Sequence, residues 1–171
     1  MPKFDPSQDA RDTRNDQRKR RGSVTLEFAF GLLVILFPLM FGVIDFSRAA
    51  YDWHWVANAA RDGSRWASVR GASCVGLSGG CPAATGDVQT YVQSLAVSGM
   101  NSGNVTASAA WSGKGGDGSD CTNGGNQGSN SAGCVVAVTV NYSFTFSFPY
   151  LSSVTGRTLT LSSVSKMVIS Q

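Results

Sequence analysis

The chain is built around the sequence RKRRGSVTLEFAFGLLVILFPLMFGVI, from Arg18 to Ile44. Four basic residues precede Gly22, and the seventeen residues from Phe28 to Ile44 carry no charge. A helix of that length measures about 25 Å, close to the ~30 Å hydrocarbon core of a bilayer. The sequence therefore predicts a membrane-spanning helix, in which Pro38 is tolerated because neighbouring groups can satisfy the freed carbonyl.

The basic surplus of the chain lies at its N-terminus. Residues 1–22 hold seven Lys or Arg and four Asp, whereas the rest of the chain holds seven basic and seven acidic residues. Because basic flanks stay cytoplasmic, we expect the N-terminus inside and everything after Ile44 outside. A surplus confined to this leader also argues against nucleic-acid binding. Its first seventeen residues are polar and predict a disordered tail.

Glu27 lies where the apolar helix begins, five residues after Gly22. By itself it can be a helix-start carboxylate favoured by the macrodipole. The ordered set of basic cluster, Gly22, Glu27 and apolar helix resembles the class III signal of type IV prepilins, which a membrane aspartyl peptidase cuts after the glycine. The resemblance places the cut between Gly22 and Ser23 and makes Gly22, Ser23, Glu27 and Phe28 the processing site. Phe28 takes the place of the tyrosine usual after the glutamate in Flp-type motifs.

Two further segments extend this resemblance, Asp45-Phe-Ser-Arg48 and Asn58-Ala-Ala-Arg-Asp-Gly-Ser-Arg65. Together with the processing site they resemble the TadE-like family, minor pilins (pseudopilins) of the tight-adherence (Flp) pilus system. The resemblance implies a type IV pilin-like, single-pass protein of the bacterial inner membrane with a periplasmic domain. It also implies a part in initiating, priming or tipping the filament, without a cofactor. The implied partners are membrane lipid, the prepilin peptidase, the major Flp pilin, other minor pilins and the inner-membrane assembly platform.

After cleavage, Glu27 is expected to pair with a positive charge of another subunit. Inside a helix bundle its carboxylate requires a positive partner, because a buried unpaired charge is costly. The new amino group of Ser23 in a neighbouring subunit is the partner we expect. Ser23 and Glu27 are thus the predicted assembly contact.

The helix is expected to continue past the membrane, over residues 23–71. Its apolar positions recur at spacings of four and three residues, which predicts one buried stripe. The stripe consists of Ala49, Trp53, Val56, Ala60, Gly63 and Ala67, and Asp52 lies off it. Tyr51, Trp53 and Trp55 are typical of an aromatic belt at a membrane surface.

Residues 72–171 predict an extracytoplasmic α+β domain. A second, short helix is expected over Asp87–Val97, with Asp87 as N-cap and Gly99 after its end. Alternating apolar residues predict strands over 105–111 and 136–148, the second ended by Pro149. A third strand is predicted over 158–169, with a bulge at Ser162-Ser163 where the apolar phase shifts. We expect a three-stranded antiparallel sheet covered by the two helices.

All four cysteines, Cys74, Cys81, Cys121 and Cys134, follow the apolar segment. An even number outside a membrane predicts disulfides, with three connectivities open. We favour Cys74–Cys81 and Cys121–Cys134, since each pair closes a short loop. Zinc is the alternative, but neither spacing is that of a zinc knuckle and the single histidine, His54, precedes every cysteine.

A Gly-rich loop, residues 112–133, has eight glycines and joins the first two strands. Its Asp and Asn residues suggest calcium, but the EF-hand pattern is absent, and Gly113-Lys114-Gly115 lacks the context of a P-loop. From residue 72 onward the chain has no histidine and three carboxylates. That leaves little for acid–base chemistry, so we expect no enzyme.

Two alternatives to a pilin remain open. Arg48-Ala49-Ala50 loosely resembles a signal-peptide cleavage site, which would release a secreted binding module, although the apolar run is longer than a usual signal peptide's. An unprocessed single-pass protein that binds other envelope proteins is the second.

Overall fold

The computed structural model describes residues 6–121, 130–147, 156 and 158–170, and for residues 6–23 it describes the backbone alone. The chain divides after Ile44 into two compact units. Its helices are α1 (Pro6–Ser68) and α2 (Thr85–Ser94), with a 3-10 helix at Ser102–Asn104. Its strands are β1 (Val105–Ser112), β2 (Val135–Thr145) and β3 (Thr158–Val168). The fold is therefore α+β, as predicted.

The first unit is the part of α1 up to Ile44. From residue 24 to residue 44, every residue is exposed except Gly42, which is half-buried. The exposed side chains are those of Phe, Leu, Ile, Val and Met, and Pro38 lies among them without ending the helix. Within the described residues, α1 is the one helix long and apolar enough to cross a membrane. An exposed apolar surface of this extent is typical of a segment that contacts a membrane or another protein.

The limits of α1 differ from the prediction at both ends. The backbone is helical from Pro6, so the expected disorder is wrong for residues 6–17, and residues 1–5 lie outside the described part. Proline is favoured at the first helical position, and the Arg, Lys and Gln that follow are good helix formers. The helix ends at Ser68 instead of Gly71, where the N–H of Arg70 bonds the carbonyl of Ala67 in a tighter turn.

Helix α2 begins two residues before the predicted start. Its N-cap is Ala84, and Asp87 occupies the third helical position, so the prediction of Asp87 as N-cap is wrong. The Asp87 carboxylate nevertheless accepts the N–H of Ala84 at 3.0 Å. An acidic side chain there also complements the helix dipole.

The end of α2 was predicted too far along the chain. The C-cap is Leu95 rather than a residue near Val97, so Gly99 does not follow the helix end. Gly99 adopts φ 97° in a later turn, which the N–H of Met100 closes on the carbonyl of Val97. A glycine is favoured there because other side chains resist this conformation.

The sheet is antiparallel, with order β1-β2-β3. The even-numbered residues of the central strand, 136 to 144, are all buried, while its odd-numbered residues are less so. The strict alternation that predicted this strand is confirmed. The strand ends at Thr145, and the predicted residues Phe148 and Pro149 lie outside the described part.

The predicted bulge in β3 is wrong. Pairing with β2 runs without interruption from Val135↔Val168 to Thr145↔Thr158. Val164 is 55% exposed on the outer face, and Ser163 and Ser165 take the inner positions. The hydroxyl of Ser165 lies 2.9 Å from that of Ser64 on α1. Small side chains occupy the inner face of β3 because α1 packs close to the strand there. The pattern of apolar residues alone does not predict this close approach.

Gly63 lets α1 pack closely against α2 and β2. A β-carbon at this position would lie 3.0 Å from a methyl of Val92 on α2 and 3.2 Å from a methyl of Val138 on β2. All three residues are buried. The core therefore forms where α1, α2 and the inner face of the sheet meet.

Candidate functional sites on the long helix

The predicted processing residues lie within α1. The backbone is helical through Gly22 and Ser23, whose side chains lie outside the described part. Glu27 and Phe28 are exposed, at the start of the apolar surface. Cleavage after Gly22 and pairing of Ser23 with Glu27 stay predictions.

A cluster that the sequence analysis missed lies just past the apolar segment. Asp45 is 2% exposed, and its Oδ1 accepts the backbone N–H of Ser147 at 3.3 Å. The guanidinium of Arg48 lies 3.7 Å from the same oxygen, donates to the hydroxyl of Ser147 and sits 5.7 Å from the ring centre of Phe144. This cluster ties the first turn of α1 in the second unit to the end of β2.

Asp52 lies two helical turns beyond Asp45 and is 7% exposed. Burial raises the pKa of its carboxyl above 3.8, and the charge of Arg48 opposes that rise. Burial also raises the pKa of Tyr142 above 10.0, and the negative charge of Asp52 adds to it. The charge of Arg48 therefore acts on Asp52, and the charges of both act on Tyr142 across the contact between α1 and β2.

A pocket of about 300 Å³ opens beside these charges. It lies between α1 and the turn after α2, and we call it the Arg48–Asp52 pocket. Its lining consists of Ser47, Arg48, Tyr51, Asp52, Ser98, Gly99 and Met100. It combines a cation, a carboxylate and several hydroxyl groups in one small space.

The buried stripe of α1 is rotated from the predicted one. Trp53 is 63% exposed and does not belong to it, whereas Asp52 does. Val56, Ala60, Gly63 and Ala67 are buried as predicted, and Ala49 packs against the core. The seven-residue spacing of Asp45 and Asp52, in phase with Ala59, was the available signal. It was missed because a stripe of apolar residues was sought.

Comparison with known families matches residues 22–65 to the family described as TadE-like protein. Residues 22–65 are TadE-like. This TadE-like segment starts at the glycine of the predicted processing site and ends within the second unit, and it covers about a quarter of the chain. It indicates a protein associated with the Tad pilus. No curated protein and no solved structure matches the chain.

The TadE-like segment contains two kinds of polar position. Glu27 lies on the exposed apolar helix, whereas Asp45 and Asp52 are buried in the folded unit. The family match therefore spans both the exposed apolar helix and the charged residues of α1 that contact the sheet domain.

The aromatic belt expected in the TadE-like segment is corrected by the structure. Tyr51 and Trp53 are exposed, but Trp55 packs against the core and its indole N–H donates to the carbonyl of Leu95 at 3.0 Å. Trp55 therefore fastens α1 to the end of α2, and only the other two side chains remain for a membrane surface.

The four cysteines lie outside the TadE-like segment. The structure contains the disulfides Cys74–Cys81 and Cys121–Cys134, with Cα atoms 5.9 and 5.8 Å apart. This is the pairing that the short loops favoured. Cys121 and Cys134 are fully buried, so the second disulfide belongs to the core.

The Gly-rich loop is hydrogen-bonded in its described parts. The carboxylate of Asp117 accepts the N–H and the hydroxyl of Ser119 at 3.0 and 2.6 Å, and these bonds lower its pKa. The backbones of Lys114 and Asp120 form an isolated antiparallel β-bridge across the same turn. Within the described residues no three His, Cys, Asp or Glu side chains come together as a metal site. Asn123 and Asn126 lie outside that part.

Proposed function

We propose that this chain is a minor pilin (pseudopilin) that helps to assemble a tight-adherence Flp pilus, by initiating, priming or tipping the filament. The observation that carries the proposal is the TadE-like match from the processing glycine to the folded unit. A bare apolar helix continuous with a folded α+β unit supports it.

In this proposal the apolar segment anchors the protein in the bacterial inner membrane with its N-terminus in the cytoplasm. The seven Lys and Arg of residues 1–22 support this orientation, since positive flanks are retained inside. The disulfides of the second unit suit an oxidising periplasm.

A prepilin peptidase cuts the chain between Gly22 and Ser23 in this scheme. The mature helix then leaves the lipid to pack with helices of the major Flp pilin and other minor pilins at the inner-membrane assembly platform. Its apolar surface can be buried in either environment. The charge of Glu27 cannot enter a helix bundle alone, and the Ser23 amine of a neighbour neutralises it there.

A contact inside the folded unit disfavours the secreted alternative. A signal-peptide cut at Arg48-Ala49-Ala50 would remove Asp45, whose carboxylate holds Ser147 at the end of β2. A secreted domain released by this cut would therefore lack the buried contact between Asp45 and Ser147.

Two substitutions separate processing from assembly. Gly22→Ala should block cleavage, because a side chain keeps the backbone away from the peptidase. Gly31→Ala is the matched control, since a β-carbon there meets nothing within 4 Å, and it should be cut normally. Glu27→Ala should be cut and stay in the membrane but no longer co-purify with the major pilin, whereas Asp62→Ala should co-purify.

Gel mobility, N-terminal sequencing of membrane protein and co-purification are the measurements. Normal co-purification of Glu27→Ala would reduce Glu27 to a helix-start carboxylate. A mature chain that still starts before Gly22 would favour the unprocessed single-pass binding protein, and one that starts near Ala49 the secreted module.

A further inference from the structure

We propose that the Arg48–Asp52 pocket binds the phosphoethanolamine headgroup of a membrane lipid, with the phosphate at Arg48 and the ammonium group at Asp52. The inference rests on the membrane anchoring in the proposed function and needs neither cleavage nor pilus assembly.

The pocket lies at the right distance from the apolar segment. Its residues on α1 run from Ser47 to Asp52, three to eight residues past Ile44 on one continuous helix. At ~1.5 Å per residue they lie about 5–12 Å beyond the apolar segment. The headgroup layer of a bilayer extends roughly 5–8 Å from the hydrocarbon core. Along the helix axis Arg48 lies about 6 Å past Ile44, within that depth, and Asp52 lies about 12 Å past it, on the water side of the layer.

The charges of the pocket select a ligand with both signs. Arg48 is half exposed and offers donors to a phosphate, while Asp52 is nearly buried and offers a carboxylate to a cation. Asp45 lies 3.7 Å from Arg48 and adds a second carboxylate beside the pocket. When ionised, Asp45, Arg48 and Asp52 together carry two negative charges and one positive charge. This net negative charge repels a purely anionic headgroup, whereas it attracts the ammonium group of phosphoethanolamine.

Shape and hydrogen bonding narrow the ligand further. About 300 Å³ is at the small end of ligand pockets and fits a headgroup rather than whole acyl chains. Tyr51 and Ser98 line the same pocket, and their hydroxyls can supply further hydrogen bonds to a phosphate. A primary ammonium has three N–H donors for the Asp52 carboxylate, and the quaternary ammonium of choline has none.

The test uses the full, uncleaved chain in detergent micelles, with the amide NMR signal of Gly99 as the probe. Dihexanoyl phosphatidylethanolamine, phosphatidylcholine and phosphatidylglycerol are titrated separately, and so is soluble phosphoethanolamine. We expect saturable shifts of Gly99, with phosphatidylethanolamine bound about tenfold more tightly than the other two lipids, the equivalent of one lost charge-assisted contact.

Two variants and a control make the result specific. Asp52→Asn keeps the shape of the side chain and should abolish the preference for the ethanolamine lipid. Ser98→Trp fills the mouth of the pocket from an exposed position and should abolish the shift with every lipid. Asp62→Asn, exposed on the same helix and outside the pocket, should bind like the wild type.

Equal binding of the three lipids, or an unchanged preference in Asp52→Asn, would overturn the proposal. Soluble phosphoethanolamine that binds as tightly as the lipid would assign the pocket to a soluble ligand and overturn the lipid assignment. None of these results bears on cleavage after Gly22, so the pilin proposal stands or fails separately.

Discussion

Gly63→Ala tests how closely α1 packs against the second unit. The substitution adds one methyl group at 3.0 Å from a methyl of Val92 and 3.2 Å from a methyl of Val138. Both contacts are tighter than ordinary van der Waals separation, and both valines are fully buried with little rotamer freedom. The neighbours therefore have little room to move.

Two opposing terms set the magnitude for Gly63→Ala. Alanine in a helix interior is favoured over glycine by about 1 kcal/mol. Overpacking a buried site costs about 1–3 kcal/mol. We expect the free energy of unfolding to fall by about 1 kcal/mol, and Gly63→Val to lower it by more, since two further methyl groups must be accommodated.

Gly86→Ala is the matched control for Gly63→Ala. Gly86 is exposed on α2 and a β-carbon there meets nothing within 4 Å. This substitution should raise stability by about 0.4–1 kcal/mol through the unfolded state. Opposite signs at the two glycines would identify packing as the cause at Gly63.

Urea unfolding of the full chain in detergent micelles, followed by tryptophan fluorescence, measures these changes. Val92→Ala removes the methyl nearest to Gly63, so the double variant should recover about 0.5–1 kcal/mol relative to the sum of the single effects. A Gly63→Ala chain that is as much stabilised as Gly86→Ala would refute the close packing. Absence of coupling with Val92→Ala would locate the strain elsewhere.

Two further predictions concern the second unit. Non-reducing mass spectrometry of envelope-derived protein should find both disulfides, and free thiols in that sample would contradict the prediction. Replacing Cys121 and Cys134 by serine should lower the free energy of unfolding by about 2–4 kcal/mol. The same change at Cys74 and Cys81 should lower it by less, because that disulfide is less buried. Burial raises the pKa of Asp52 in the folded chain above 3.8, the value expected in the unfolded chain. The contribution of Asp52 to the free energy of unfolding is therefore fully present below pH 3.8 and is lost as the pH rises through the raised pKa. Asp52→Asn should therefore gain stability relative to the wild type between about pH 3 and pH 7 in urea unfolding, and a difference that stays constant with pH would contradict it.

The elements of the second unit were predictable because their patterns are strict and local. In β2 the apolar residues alternate from Val136 to Phe144, and a half-buried strand needs no more information than that. The same rule failed in β3, where Ser163 and Ser165 occupy inner positions. Which side chains fit there depends on how closely α1 approaches, and that distance is a property of the assembled fold.

The ends of α2 show a second limit of local patterns. Aspartate is favoured at an N-cap, but Asp87 stands three residues after the N-cap Ala84, and its carboxylate accepts the N–H of Ala84. Both positions let one side chain satisfy a free N–H of the first turn. The chemistry was predictable, whereas the register was not.

The rotation of the buried stripe on α1 has a consequence for function. Seeking apolar residues placed Trp53 in the core, whereas the structure buries Asp45 and Asp52 and leaves Phe46 and Trp53 exposed. The carboxylates are tolerated because Arg48 lies between them and Ser147 donates to Asp45. Phe46 and Trp53 lie exposed on the other face of α1. Asp45 and Arg48 thus hold this part of α1 to the sheet, and the aromatic side chains of Phe46 and Trp53 stay on its exposed face.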